Sequence, residues 1–67
     1  SDPHWPARCK PLLRFLAEAR SWSELMAWRK SVRLNEYELR NNLAYLEIEK
    51  KVYGVIQNKT VYWAQVG

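Results

Sequence analysis

The sequence predicts a small, mainly α domain in which three helices are followed by a C-terminal β-hairpin. Three observations carry this reading. Apolar residues recur at helical spacing as far as Lys50, the stretches "SWSE" and "NEYE" have helix-start chemistry, and from Lys51 onward the apolar period shortens to two.

The first helix is expected over about residues 9 to 20. Pro11 suits a first turn because its missing N–H would have no partner there, and Leu12, Leu13, Phe15, Leu16 and Ala19 follow at helical spacing. "SWSE" offers a capping box, with Ser21 accepting from the backbone three residues on and Glu24 reaching back, so the second helix runs to about Ser31. Ser23 is the alternative cap. This helix is expected to bury Leu25, Met26 and Trp28. After the connector "SVRL", Asn35 and Glu38 repeat the capping logic and open a third helix over about 36 to 49. Leu39, Leu43 and Leu46 form its core face, flanked by Asn42 and the stem of Lys50, and Tyr37, Arg40, Asn41, Ala44, Tyr45 and Ile48 fall on the other side.

"KVYGVIQNKTVYWAQV" then reads as two strands around Asn58-Lys59, since Asn tolerates the positive φ of a tight hairpin. Lys59 stands where glycine is preferred, which leaves the turn type open. With these two residues as the turn, Ile56 opposes Val61 and Val55 opposes Tyr62. One face then carries Val52, Ile56, Val61 and Trp63, and the other Tyr53, Val55, Tyr62 and Ala64. Both are apolar, and alternation does not select the face that packs on the helices.

Sixty-seven residues make one domain, which buries only about 60% of the surface of its unfolded chain, and they leave no room for a cleft between separate bodies. Residues 1 to 8 read as a linker or boundary and residues 9 to 67 as the domain. A hydrophobic content of 48%, with four Trp, four Tyr and one Phe, provides a core and lies away from disordered composition. The single Cys9 offers no internal disulfide, so the fold must stand without a staple; an exposed thiol awaiting a partner is the sharper reading. No apolar run approaches the ~18 residues that would span a bilayer, and no signal segment opens the chain. An intracellular protein, cytoplasmic, nucleoid or nuclear, with no membrane partner is therefore expected. His4 lies five residues from Cys9, with Asp2 its nearest carboxylate, and the set is too small for a zinc site or a nucleophilic pair. The sequence implies no cofactor, no metal and no enzyme.

The net charge is +4, and its distribution says more than its size. Residues 1 to 34 hold seven cations against three carboxylates, whereas residues 35 to 67 hold four against four. All the excess positive charge is in the first half.

"SWSEL" opening the second helix, "RLNEYELRNNLAYLE" as turn and third helix, and "KKVYGVIQNKTVYW" as strand, turn and strand together resemble a winged helix-turn-helix domain. The resemblance covers about residues 10 to 65 and rests on hydrophobic spacing. It implies binding of double-stranded DNA, with the third helix in the major groove and the hairpin as a wing. Carried over by position, Tyr37, Arg40, Asn41, Ala44 and Tyr45 become the base-reading surface. Arg29, Lys30 and Arg33 around the turn, with Lys59 at the wing tip, become backbone contacts. The residue types suit the roles, since Arg can donate twice to guanine, Asn can bond adenine on two atoms, and a methyl can meet that of thymine. Asn41, Tyr45 and Trp63 also match the spacing of the triad in left-handed-DNA-binding winged helices, but Tyr45 immediately precedes Leu46 and the register fails.

Plainer readings stand beside these. Arg40 and Asn41 also suit a solvated helix surface, the tyrosines can lean on the core edge with their hydroxyls in water, and Arg29, Lys30 and Arg33 can be a solvated charged face. Glu36, Glu38, Glu47 and Glu49 sit uncomfortably near phosphate. Winged helices also serve as protein-interaction modules, so docking on a protein partner or parent-chain domain, through the hairpin or the Tyr37–Ile48 face, is the alternative. A homodimer is compatible with either, because one small module offers only ~600–1,000 Å² to DNA.

Overall fold

The computed structural model describes Pro6 and residues 8 to 67. His4, Asp2 and the expected linker other than Pro6 and Arg8 lie outside the described residues. The chain runs α1 (Cys9–Phe15), β1 (Arg20–Ser21), α2 (Trp22–Ser31), α3 (Glu36–Ile48), β2 (Val52–Gln57) and β3 (Thr60–Gln65). Three helices with a C-terminal antiparallel hairpin are the expected architecture.

Both predicted capping boxes form. Ser21 Oγ accepts from Glu24 N–H at 3.2 Å while Glu24 Oε1 accepts from Ser21 N–H at 2.8 Å. Asn35 and Glu38 repeat the exchange at 2.7 and 2.9 Å. Each box satisfies two N–H groups that the first helical turn leaves without an intrahelical partner. The two helices also stop alike. Arg33 N–H donates to Lys30 O and Leu34 N–H to Arg29 O after α2; Lys50 N–H donates to Glu47 O and Lys51 N–H to Leu46 O after α3. These are Schellman exits, which require a left-handed residue, and Arg33 (φ 61°) and Lys50 (φ 62°) supply it where glycine is usual.

The first helix is shorter than its sequence suggests. Leu16, Ala17, Glu18 and Ala19 could continue it, but tertiary pairing prevails: Leu16 O accepts from Gln65 N–H at 2.7 Å, and Arg20 Nε donates to Phe15 O at 3.0 Å. The next two residues become β1, an element that the sequence reading lacked. It pairs antiparallel with β3, Arg20 opposite Trp63 and Ser21 opposite Tyr62, giving the strand order β1-β3-β2.

The hairpin has the expected register, with Ile56 opposite Val61 and Val55 opposite Tyr62. Asn58 (φ 52°) and Lys59 (φ 64°) both have positive φ, the signature of a type I′ turn. The face that packs on the helices is the one with Val52 and Trp63, both of which join the core cluster. Gly54 stands opposite Trp63, and a Cβ there would come within 3.0 Å of the ring. Its bare backbone therefore lets the indole lie close over the sheet.

Leu12, Leu16, Leu25, Leu39, Leu46 and Cys9 are fully buried, with Leu43 and Val52 completing the cluster. The leucine face of α3 is thus as predicted, and Asn42 beside it is the one buried polar residue among those described. Two side chains of α2 depart from expectation. Met26 and Trp28 are only half-buried, packing on the core from its edge, Trp28 stacked on Phe15 with ring centroids 5.2 Å apart. The thiol of Cys9 is buried rather than exposed, 3.9 Å from Asn42 O, because α1 turns it toward α3. No helix among the described residues is long and apolar enough to cross a membrane.

Candidate nucleic-acid interface

Among the described residues the outer face of α3 is open along most of its length. Tyr37, Arg40, Asn41 and Ala44 are exposed, and Tyr45 is half-buried with its ring on the core. The structure thus brings four of the five predicted base-reading residues to the surface and makes the fifth partly a core residue, as the amphipathic reading of tyrosine allows.

Arg40 is held rather than free. Its Nε and Nη2 both donate to Glu36 Oε2, at 3.0 and 2.8 Å, and its guanidinium lies 4.8 Å from the centre of the Trp22 ring. The first contact is the one-turn pair that helical spacing favours, worth about 0.3–0.5 kcal/mol when exposed. The second crosses from α3 to the start of α2, and a solvent-accessible cation over the half-buried Trp22 indole adds about 0.5–1 kcal/mol. Ligand engagement by Arg40 therefore costs on the order of 1 kcal/mol of existing contacts.

The glutamates near α3 divide by role. Glu38 completes the capping box and Glu36 neutralises Arg40, so both are engaged within the fold. Glu47 and Glu49 are exposed at the far end of the helix. The acidic charge that would oppose phosphate is thus quenched at the N-terminal half of α3 and open at the C-terminal half.

The four predicted backbone cations also separate. Arg29 is half-buried, its Nη1 donates to Leu34 O at 3.2 Å, and its Nε is buried without a partner among the described residues. It braces the α2–α3 turn from inside. Lys30 and Arg33 are exposed on that turn, and Lys59 is exposed at the hairpin tip. Other cations of the first half are similarly absorbed. Arg8 donates to Val32 O at 3.2 Å, and Arg20 lies 4.3 Å over the Phe15 ring with Glu18 3.8 Å away. Lys10, Arg14, Lys30 and Arg33 keep their charge in solvent.

Two shallow depressions flank this surface. One of about 300 Å³ is lined by Pro6, Asn41, Ala44, Tyr45 and Ile48; the other, of about 160 Å³, by Trp22, Arg40, Leu43, Ala44, Glu47 and Trp63. Neither lining contains a base paired with a nucleophile, and no cluster of three or more His, Cys, Asp or Glu occurs among the described residues. Sequence reasoning had no means of finding the Trp22 contact, because it joins two helices whose relative placement no local pattern reports.

In comparisons with known proteins, no family model, no curated protein and no solved structure matched the chain.

Proposed function

We propose that the domain binds double-stranded DNA, with α3 in the major groove. The observation that carries this is the exposed row Tyr37, Arg40, Asn41 and Ala44 beside the exposed cations Lys30 and Arg33 of the α2–α3 turn. In a helix-turn-helix the N-terminal half of the reading helix meets base edges, and in α3 that half has its carboxylates engaged. Arg40 and Asn41 read bases, with Tyr37 and Ala44 beside them and Tyr45 at the inner edge. Lys30, Arg33 and Lys59 neutralise phosphates, each adding about 0.9 to the log–log salt slope. Arg29 acts through the turn it braces.

The test is a titration of a mixed-sequence duplex followed by amide shifts at two salt concentrations. Salt-sensitive shifts on residues 29 to 45 support the reading, and their absence at low salt overturns it. Arg40→Ala weakens duplex binding if α3 is the reader; unchanged binding removes α3 from that role. The protein-docking alternative is favoured by one feature, the exposure of Tyr37 (72%), Ile48 (76%) and Ile56 (72%). Salt-independent association with a protein partner through these residues, with no duplex binding, would establish it.

A further inference from the structure

β2 is an open sheet edge. In the order β1-β3-β2 its outer side has no strand partner among the described residues, and Val52–Gln57 contains neither a charged residue nor a proline. Proteins blunt such edges with lysines, prolines, bulges or a covering segment, because their unpaired backbone groups recruit another strand. Here Tyr53 is 50% exposed and Ile56 72%.

The outward-facing groups follow from the register. A two-residue turn makes Gln57 and Thr60 a hydrogen-bonded pair, and Val66 N–H donating to Lys51 O at the other end keeps the same phase. Tyr53, Val55 and Gln57 therefore direct their backbone groups to β3. Val52, Gly54 and Ile56 direct theirs outward.

We propose that β2 pairs with β2 of a second copy, antiparallel about a two-fold axis through Gly54, joining two three-stranded sheets into one. A two-fold interface must be self-complementary, and this strand meets that condition. Gly54 faces Gly54 of the other copy, Tyr53 faces Val55, and Val52 faces Ile56, so every pair in the strand centre is apolar or glycine. The ends agree as well: Lys51 falls opposite Gln57, so the strand ends bring no like charges face to face. The pairing covers part of Ile56, which is exposed in a single copy. Six residues a side is small beside the ~1,200 Å² or more of stable complexes, so the dimer is concentration-dependent.

The experiment uses the full chain under reducing conditions, with translational diffusion and amide exchange measured from about 20 μM to about 1 mM, the range where small interfaces associate. Diffusion slows with concentration, and the Gly54 and Ile56 amides gain protection several-fold while Tyr53 and Val55 stay protected throughout. Ile56→Lys and, separately, Val55→Lys each reduce association at least tenfold; both positions are exposed, and each variant's amide spectrum verifies its fold. The proposal is overturned by concentration-independent diffusion. It is equally overturned by association that survives both lysine variants, or by new protection confined to residues outside β2.

Discussion

Replacing Lys59 with glycine should stabilise this domain. Among the described residues five non-glycines have positive φ, namely Arg8, Arg33, Lys50, Asn58 and Lys59, and four of them are Arg or Lys. An L-residue in the left-handed region costs about 1–2 kcal/mol, and glycine there costs nothing sterically but loses about 0.5–1 kcal/mol more backbone entropy on folding. The difference leaves a gain of about 0.5–1 kcal/mol for Lys59→Gly, which also produces the Asn-Gly pair that a type I′ turn prefers. Arg33 and Lys50 differ in one respect, since a cation at a helix C-terminus recovers about 0.3–1 kcal/mol from the dipole. Their glycine variants should gain less, about 0–0.5 kcal/mol by the same reckoning. For 67 residues the unfolding entropy is about 0.14 kcal/mol/K, so 1 kcal/mol moves Tm by about 7 °C. Thermal unfolding by circular dichroism reads the shift directly. A fall in Tm for Lys59→Gly would refute the turn geometry. The same variants also probe the proposed function: Lys59→Gly and Arg33→Gly should each flatten the duplex salt slope by about 0.9, whereas Lys50→Gly should leave it unchanged. Equal loss in all three would sink the assignment of the interface.

Burial pushes the Cys9 thiol above its ordinary 9.0. The folded state thus favours the neutral thiol, and this contribution is intact below the ordinary value and lost as pH rises through the raised one. Above about pH 9, stability should fall more steeply in the native chain than in Cys9→Ala, and a thiol reagent at pH 8 should react at the unfolding rate rather than the free-thiol rate. Gly54→Val should cost about 1–3 kcal/mol by forcing Trp63 off the sheet, with a shift in tryptophan emission that distinguishes it from a simple loss of strand propensity. Asn35→Ala removes the oxygen that accepts from Glu38 N–H and should lower the urea-derived stability by about 1 kcal/mol; no change would mean that α3 is capped by solvent.

The parts of the fold that were readable in the sequence are those written in local chemistry. Ser21 with Glu24 and Asn35 with Glu38 each carry their start signal within four residues, and Leu39, Leu43 and Leu46 carry the core face in their spacing. Residues 16 to 20 read as helix because Leu16, Ala17, Glu18 and Ala19 have helical propensity, and what overrides it, the Gln65 N–H reaching Leu16 O, lies almost fifty residues away in sequence. The buried hairpin face was open for the same reason: both faces are apolar, and the choice is made by where the helices stand. For the candidate site, the composition of the α3 outer face was readable, but its state was not. That Arg40 is occupied by Glu36 could have been anticipated from four-residue spacing; that it also lies over Trp22 could not. The division of cations into engaged Arg8, Arg20 and Arg29 and exposed Lys30 and Arg33 depends on carbonyls that the fold presents to them.

Ser21 belongs to two systems at once. It is the last residue of β1, paired with Tyr62, and it is also the residue whose hydroxyl and N–H close the α2 capping box. The hairpin and the second helix are therefore joined at one residue rather than merely packed. Cutting the chain before Val52 would strip Ser21 of its strand partner and take Val52 and Trp63 out of the core cluster in the same stroke, so the hairpin is no detachable accessory. The start of α2 is thus tied on one side to β3 through Ser21 and on the other to the outer face of α3 through the Trp22–Arg40 contact.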